Sequence, residues 1–324
     1  MTTIKKLFDI AIQKWLKNDL REKTILVNYL SKINDEYKKL EDSEKKYFDK
    51  ILLSNPYPDS RIYYWDENKK IQKVIVWIDI EWPEILLVNE YNKKNKNNPI
   101  DLIIWHHPES KALLDLEKVM SSILPHNDFK FWVPINQAEK INEPRVGKVS
   151  RSLSPTNYNR VIPFASMLDI AFMWFHTPAD NMCYTYMSNL IDKNMSKINS
   201  LQDIIKLLEE IPEMQISKKN GMWPKIWNWS KESKPWKIIA AWITWWTSWS
   251  IDIYKKYADA WVWTLLMMHI WEDHLEEAKK HNLNIIMTDH MASDSLWMNL
   301  ILDEYEKLWI EILDFSWFIR VSRV

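Results

Sequence analysis

The sequence has very little glycine. Its 324 residues include 2 glycines and 21 tryptophans, whereas average usage of about 7% would give about 23 glycines in a chain of this length. Tight turns and many helix ends need a residue that adopts positive φ, and glycine does so without steric cost. With so few glycines the chain cannot form the usual number of glycine-dependent turns, unless a different residue occupies the positions where glycine is expected.

Cysteine, net charge and long apolar runs are also scarce. The single cysteine, Cys183, excludes an intramolecular disulfide framework. The 43 basic and 44 acidic residues nearly cancel, which gives no electrostatic reason to expect nucleic acid or an anionic membrane as a partner. No uncharged run reaches the roughly 18 residues of a membrane helix. Lys5, Lys6 and Asp9 interrupt the start where a signal peptide would be apolar, so we expect a cytoplasmic protein.

The tryptophans stand at positions typical of glycine. The glycine and tryptophan counts together come to 23. Trp261 in "ADAWVWTL" and Trp309 in "EKLWIEIL" fall between a helix and a strand, at the left-handed C′ position that favours glycine. We infer that most tryptophans are glycines in the living protein, as happens when UGA codons that some bacteria read as glycine are translated as tryptophan. The alternative is a genuinely tryptophan-rich protein that binds sugars or single strands by stacking.

One stretch, "AAWITWWTSWS" at 240–250, links the inferred glycines to a candidate functional site. Trp242, Trp245, Trp246 and Trp249 lie between a predicted strand and a predicted helix. With glycine restored, the stretch is a strand that runs into a glycine-rich turn at a helix N-terminus. Such a turn either binds an anion with its backbone N–H groups or is a tight turn without a ligand.

Apolar patterning divides the chain into three parts. Residues 1–60 have apolar residues at helical spacing on a charged background, which predicts an N-terminal helical extension. Residues 61–215 and 216–324 each alternate strands with helices, which is typical of two α/β domains with mainly parallel or mixed sheets. The segments expected near the site or the domain boundary are strands at 73–81 and 100–109, a strand followed by a loop at 168–181, and a loop-rich linker at 214–236.

Two adjacent histidines, His106 and His107, follow the second of these strands. Ligands bind at the carboxyl ends of strands in α/β sheets. Consecutive side chains in extended backbone point in opposite directions, so the pair suits two different metal ions better than one. The alternative is one structural and one exposed histidine.

Two further strand ends favour the metal hypothesis. "HTPAD" places His176 and Asp180 four residues apart, and "HMASD" does the same for His290 and Asp294. A spacing of four puts both groups on one side of a helical turn. Mixed nitrogen and oxygen ligands suit Zn, Mn, Fe or Ni rather than Ca. A centre with two such ions positions and activates water, which is hydrolase chemistry.

With glycine restored, "VWIDIE", "DLIIWHHP", "HTPADN", "AAWITWWTSWS" and "TDHMASDSLWMN" resemble the Nif-three-like metal-binding proteins, often labelled GTP cyclohydrolase I type 2. The similarity runs from about residue 70 to the last residue. The resemblance implies two α/β domains, a dinuclear metal site in the cleft between them, and a homo-oligomeric ring, commonly a hexamer.

The resemblance also implies a ligand set. His106 and His107 match the His-His pair of the family, Asp180 matches its bridging carboxylate, and His290 matches its late histidine. The family usually has glutamate four residues after that histidine, where this chain has Asp294. These five residues would hold two divalent ions, Zn, Mn, Fe or Ni.

The catalytic assignment stays open between two functions. One is a metal-dependent hydrolase of a small nucleotide-like or phosphorylated substrate, with Asp294, Glu272 or His269 as acid or base. The other is a metal-binding regulatory or metal-handling protein without turnover. His269, Glu272 and His274 are either extra ligands and acid–base groups or residues outside the metal shell.

Overall fold

The structure is a computed structural model that describes residues 2–64, 66–154, 159–239 and 248–324. Trp242, Trp245 and Trp246 of the predicted glycine-rich turn therefore lie outside the described residues. The strands are β1 (Thr2–Thr3), β2 (Arg61–Tyr63), β3 (Lys70–Ile71), β4 (Lys73–Trp77), β5 (Leu102–Trp105), β6 (Ala171–Trp174), β7 (Lys225–Asn228), β8 (Ile238–Ile239), β9 (Thr264–Met267), β10 (Asn284–Met287) and β11 (Glu311–Asp314).

Helices connect and cover these strands. They are α1 (Ile4–Leu16), α2 (Lys23–Lys39), α3 (Asp42–Lys45), α4 (Trp82–Lys94), α5 (Ser110–Leu114), α6 (Leu116–Lys130), α7 (Ile135–Leu153), α8 (Val161–Met167), α9 (Thr177–Asn194), α10 (Leu201–Leu208), α11 (Pro212–Lys219), α12 (Ile253–Asp259), α13 (Glu272–Lys280) and α14 (His290–Glu306). None of the helices in the described part of the chain is long and apolar enough to cross a membrane.

Two sheets organise the molecule, as predicted for an α/β fold. The first has the strand order β11-β4-β5-β6-β2, with β2 antiparallel at one edge and the other strands parallel. The second has the order β7-β10-β9-β8, with β7 antiparallel at its edge. The central strands β4, β5 and β6 are buried along their whole length, as expected for parallel strands covered on both faces.

Both the first helix, α1, and the last strand, β11, contact the first sheet. Phe8 and Trp15 of α1 pack on Phe175 at the end of β6, with ring centroids 5.8 and 4.8 Å away. The predicted helical extension therefore supports a strand end that leads into the site. The last strand, β11, was expected in the second domain but pairs with β4 in the first sheet. The boundaries 1–60, 61–215 and 216–324 stay a prediction.

Two local expectations were wrong. The loop expected after β6 is the start of α9, which begins at Thr177 with a proline in its first turn, a position that favours helix initiation. The expected linker at 214–236 contains most of α11 and the strand β7. The strand β7 is a partly exposed edge strand, so its apolar signal is weak.

Several helices end in one hydrogen-bonded pattern, and tryptophan occupies its left-handed position three times. At the end of α11, Gly221 has φ 86° and the next N–H reaches back to the Ser217 carbonyl. The same arrangement ends α6, α12 and α14, with φ of 68° at Trp132, 61° at Trp261 and 60° at Trp309. This is the Schellman motif, which favours glycine at that residue. The left-handed backbone predicted at Trp261 and Trp309 is confirmed.

A buried carboxylate lies where α6, α7 and α12 meet. Asp128 accepts hydrogen bonds from Asn142 Nδ2, at 2.7 Å, and from the Tyr257 hydroxyl. Burial raises the pKa of Asp128 to about 7, although both hydrogen bonds act to lower it. The unfolded chain releases this proton near pH 4 and the native chain near pH 7, so stability must fall as the pH rises between these values.

We therefore expect Asp128 to cost about 4 kcal/mol of stability between pH 4 and pH 8. Urea unfolding in the presence of a chelator, at pH 5 and pH 8, should show about 3 kcal/mol of this loss, because part of it is already present at pH 5. Asp128→Asn should make the unfolding free energy less dependent on pH, whereas Asp35→Asn, at an exposed position on α2, should not. An equal pH dependence in the parent and Asp128→Asn proteins would contradict the assignment.

Candidate metal centre

The site forms where strand ends of the first sheet meet a helix that leaves the second. His106 and His107 directly follow β5, and both backbone N–H groups donate to the carbonyl of Ile78, just beyond β4. Asp180 lies in the first turn of α9, which follows β6. His290 and Asp294 lie in the first turns of α14, which follows β10. The topology thus brings all five predicted ligands into one region.

Asp294 lies at the centre of the cluster. Its Oδ1 is 3.7 Å from His106 Nε2, and its Oδ2 is 3.7 Å from His107 Nε2 and 3.3 Å from His290 Nε2. Asp180 Oδ1 is 3.7 Å from His106 Nε2. Ligand atoms of His106, His107 and Asp294 all lie within 4.8 Å of one another. The two adjacent histidines face different oxygens of one carboxylate, that of Asp294. The bridging role that the resemblance implies for Asp180 stays a prediction.

Hydrogen bonds fix which nitrogen each of the adjacent histidines offers. His106 Nδ1 is 2.8 Å from the Phe175 carbonyl oxygen, which can only accept, so Nδ1 carries the proton. His107 Nδ1 is 2.6 Å from Asp79 Oδ1. Both rings therefore present Nε2 to Asp294. Metal-ligating histidines usually donate their other N–H to a carbonyl or carboxylate in this way.

The charges of the cluster are strongly coupled. Burial lowers the pKa of His106 to about 3, against the attraction of Asp294. Burial acts to raise the pKa of Asp294, but His290, His106 and His107 lower it to about 2. Burial, Asp294 and Asp59 raise the pKa of Asp180 well above its usual range. The site therefore holds one stable carboxylate and a second that cannot ionise easily beside it.

The second carboxylate indicates a missing positive charge. Neither oxygen of Asp180 or Asp294 has a hydrogen-bond donor of suitable geometry among the residues that the structure describes. Both side chains are buried. Three imidazoles favour the charged form of Asp294, whereas burial and two carboxylates oppose the charged form of Asp180, and a buried carboxylate without donors or a counter-charge is costly. Divalent cations would satisfy these oxygens, and the imidazole and carboxylate donors suit transition metals. The residues present fit a metal centre.

The predicted acid–base candidates lie at different distances from this centre. The ring of His269 is 5.7 Å from that of His290. Glu272 is exposed at the first residue of α13. His274 is buried, with Nδ1 3.2 Å from the Tyr254 hydroxyl. Among these, His269 is the one placed beside a predicted ligand.

Two carboxylates near the site were not predicted. Asp79 follows β4 and holds His107, and its place at a strand end was a usable signal in "WIDIE". Asp59 comes from the loop before β2 and is fully buried, with Oδ2 2.8 Å from His176 Nδ1 and 3.1 Å from the Thr177 N–H. The His176 ring lies 5.2 Å from that of His106. Nothing local in the sequence indicates this long-range pair.

One side of the cluster is open. The side chains of His290 and His107 are 31% and 15% exposed, while that of Asp294 is 0% exposed. Asp79, behind His107, is exposed as well. The arrangement has a buried floor, made of His106, Asp180 and Asp294, and a wall, made of His107 and His290, that solvent reaches.

Known structures share this fold. No family model and no curated protein matches the chain in sequence. A NIF3 superfamily protein from Sphaerobacter thermophilus is similar in structure, with TM-score 0.68 and 21% identity over 80% of this chain and 91% of that one. Reduced HcgD from Methanocaldococcus jannaschii overlaps less well, with TM-score 0.47 and 14% identity over 79% of this chain and 88% of that one. The resemblance inferred from the motifs is confirmed at the level of the fold.

Proposed function

We propose that this chain, which has the fold of NIF3 superfamily proteins, is a dinuclear-metal-dependent hydrolase. Its substrate would be a small nucleotide-like or phosphorylated molecule, in line with the GTP cyclohydrolase I type 2 label that the resemblance implies. The cytoplasmic location and the homo-oligomeric, possibly hexameric, ring belong to the same proposal.

Five side chains would hold the two ions: His106, His107, Asp180, His290 and Asp294. The hydrogen bonds at His106 Nδ1 and His107 Nδ1 keep both rings in the orientation that a metal needs. When bound, two divalent ions would polarise the scissile group and lower the pKa of water. The chain itself supplies the buried floor that raises the strength of these electrostatic interactions.

The observation that carries the proposal is the open wall at His107 and His290 above a buried, donor-poor carboxylate pair. A purely structural metal site is closed by protein ligands on all sides, whereas a catalytic site leaves a position for water or substrate. His269, beside His290, is our first candidate for an acid or base. Glu272 is exposed, so its side chain would need to turn toward the metal centre to act as an acid or base. Asp294 lies among three histidines and is better suited to bind metal than to transfer a proton.

The alternative is a metal-handling or regulatory protein without turnover. It uses the same five ligands, and the same exposed wall would then let metal enter and leave. Turnover separates the two functions, because a metal-handling protein loads and releases ions but does not cleave a substrate.

We expect the metal-loaded protein to hydrolyse at least one member of a panel of nucleotides and phosphoesters. His107→Ala should lower kcat/KM by about 100-fold or more, because it removes a ligand rather than a residue behind one. His281→Ala changes a histidine that pairs with Glu277 on α13 and is the matched control. Absence of hydrolysis in a protein shown to hold metal would favour the alternative. Hydrolysis that persists in His107→Ala would contradict the assignment of the activity to this centre.

A further inference from the structure

The helix α9, which carries Asp180, is capped by residues from a distant loop. Its N-cap residue, His176, forms no side-chain capping hydrogen bond among the residues that the structure describes. The first N–H groups of a helix have no partner inside the helix, and a buried helix start needs other acceptors. The His176 N–H donates to Ser60 Oγ at 3.0 Å, and the Thr177 N–H donates to Asp59 Oδ2 at 3.1 Å. Asp59 and Ser60, which directly precede β2, therefore cap α9.

Asp59 also holds two side chains at this helix start. Its Oδ2 accepts a hydrogen bond from His176 Nδ1, at 2.8 Å, and one from the Thr177 hydroxyl. Together with the Thr177 N–H, three donors meet at this one oxygen. All four residues of the contact, including Ser60, are buried. Burying a carboxylate is costly unless hydrogen bonds replace the lost water, and those from an ionised group are strong. The contact is therefore dry and firmly held.

The segment that Asp59 and Ser60 hold contacts two of the predicted metal ligands. The Phe175 carbonyl accepts the hydrogen bond from His106 Nδ1 at 2.8 Å. The next carbonyl, that of His176, accepts the Asp180 N–H at 3.2 Å. A shift of this short segment would therefore move the ring of His106 and the carboxylate of Asp180 together.

The loop that carries Asp59 and Ser60 is itself fixed. Asn55 Nδ2 donates to the carbonyls of Tyr57 and Ser60, both at 2.9 Å, and Asn55 Oδ1 accepts the Tyr57 N–H. The Tyr57 hydroxyl donates to Asp19 Oδ2 at 2.5 Å. Asn55 and Tyr57 are buried. The loop is therefore a rigid support, tied to the N-terminal part of the chain.

We propose that Asp59 and Ser60 are positioning residues of the metal centre: by capping α9 from outside, they hold His106 and Asp180 at the spacing that one divalent ion needs. His106 Nε2 and Asp180 Oδ1 are 3.7 Å apart, and two ligand atoms at about 2.1 Å from one ion lie roughly 3–4 Å from each other. The proposal rests on the metal centre of the proposed function, but it does not depend on turnover.

Co²⁺ is the probe, titrated into the full chain after metal removal by a chelator and followed through its visible absorption, which reports both affinity and ligand geometry. Asp59→Ala should raise the Kd about 10- to 100-fold, as is typical when a group behind a metal ligand is lost, and should change the absorption of the bound ion. Asp59→Asn keeps an oxygen acceptor in the same place and should recover most of the affinity. Asp35→Ala, at an exposed position on α2, should leave the Kd unchanged.

Tyr57→Phe separates positioning from a general loss of stability. It removes the hydroxyl that donates to Asp19 in the same buried loop and leaves the acceptors of Asp59 and Ser60 in place. This variant should lower the free energy of unfolding, because a buried acceptor loses its donor, without changing the Co²⁺ affinity or absorption. If Asp59→Ala does not fold by circular dichroism, Ser60→Ala is judged instead, with an expected rise in Kd of at least about threefold.

An unchanged Kd and absorption in Asp59→Ala, or an equal rise in Kd in Tyr57→Phe, would overturn the positioning role. Asp59→Asn that binds as weakly as Asp59→Ala would also overturn it, because the charge of Asp59 and not its place as an acceptor would then matter. A parent chain that binds no Co²⁺ would overturn the metal centre and this role together. Co²⁺ binding that depends on Asp59 in a protein without hydrolase activity would count against the proposed hydrolase and leave the positioning role standing.

Discussion

Asp180→Asn is expected to abolish tight metal binding and, at the same time, to stabilise the metal-free protein at neutral pH. The metal affinity should fall by more than about 100-fold, since even residues behind a ligand cost 10- to 100-fold. The gain in stability follows from the pKa of Asp180, which burial, Asp294 and Asp59 raise. An acid with a raised native pKa opposes folding once the pH exceeds its unfolded pKa, and asparagine removes that charge.

Chemical unfolding with and without metal tests both halves of this prediction. In a chelator at pH 8, Asp180→Asn should unfold at a higher urea concentration than the parent. With excess metal the order should reverse, because only the parent gains stability by binding. Asp192→Asn, at an exposed position on the same helix, should follow the parent in both conditions. A destabilised metal-free Asp180→Asn protein would contradict the view that this carboxylate lacks a partner.

The second large effect is expected from replacing Trp132, Trp261 and Trp309 together with glycine. Each residue has positive φ at a helix end, and a left-handed residue with a Cβ costs about 1–2 kcal/mol. The triple variant should therefore gain about 3 kcal/mol or more in unfolding free energy. Urea unfolding monitored by circular dichroism measures the gain.

Two controls separate backbone strain from loss of an exposed indole. The triple Trp→Ala variant removes the same indoles but keeps a Cβ at positive φ, so it should recover little of the gain. Trp227→Gly changes an exposed tryptophan in the strand β7, where glycine has no conformational advantage, and it should not stabilise. Equal stabilisation by the glycine and alanine triple variants would show that the exposed indoles, and not the strained backbone, destabilise the protein.

The same three positions show how the origin of the tryptophans can be tested. If UGA codons specify glycine in the living cell, mass spectrometry of native peptides should find glycine at 132, 261 and 309. Tryptophan in those peptides would mean that the protein tolerates the strain and that the turns are genuinely built with indoles.

Local spacing predicted much of the site. His290 and Asp294 are four residues apart, about one helical turn, and His290 Nε2 lies 3.3 Å from Asp294 Oδ2. This contact lies within a single element, whose geometry a sequence pattern can express. The expectation that His106 and His107 serve different metals stays a prediction. Their rings lie 4.9 Å apart and both face Asp294, so the alternation of side chains in a strand does not describe them.

Contacts between distant segments were not predictable in the same way. Asp59 reaches His176 across 117 residues because β2 pairs with β6, and neither strand carries a signal of its partner. The strand β11 joins β4 at the far end of the chain for the same reason. The distances of Asp180 and Asp294 from each histidine also depend on how α9 and α14 pack, so the sequence does not show which carboxylate lies nearer to the histidines.

The most direct test of the central claim is the metal content of the purified protein, measured by inductively coupled plasma mass spectrometry after growth with Zn, Mn, Fe or Ni. Our account predicts about two ions per chain for at least one of these metals, lost in Asp180→Asn and kept in Asp192→Asn. Fewer than about one ion per chain under every metal supply, in a folded glycine form of the protein, would contradict the dinuclear centre.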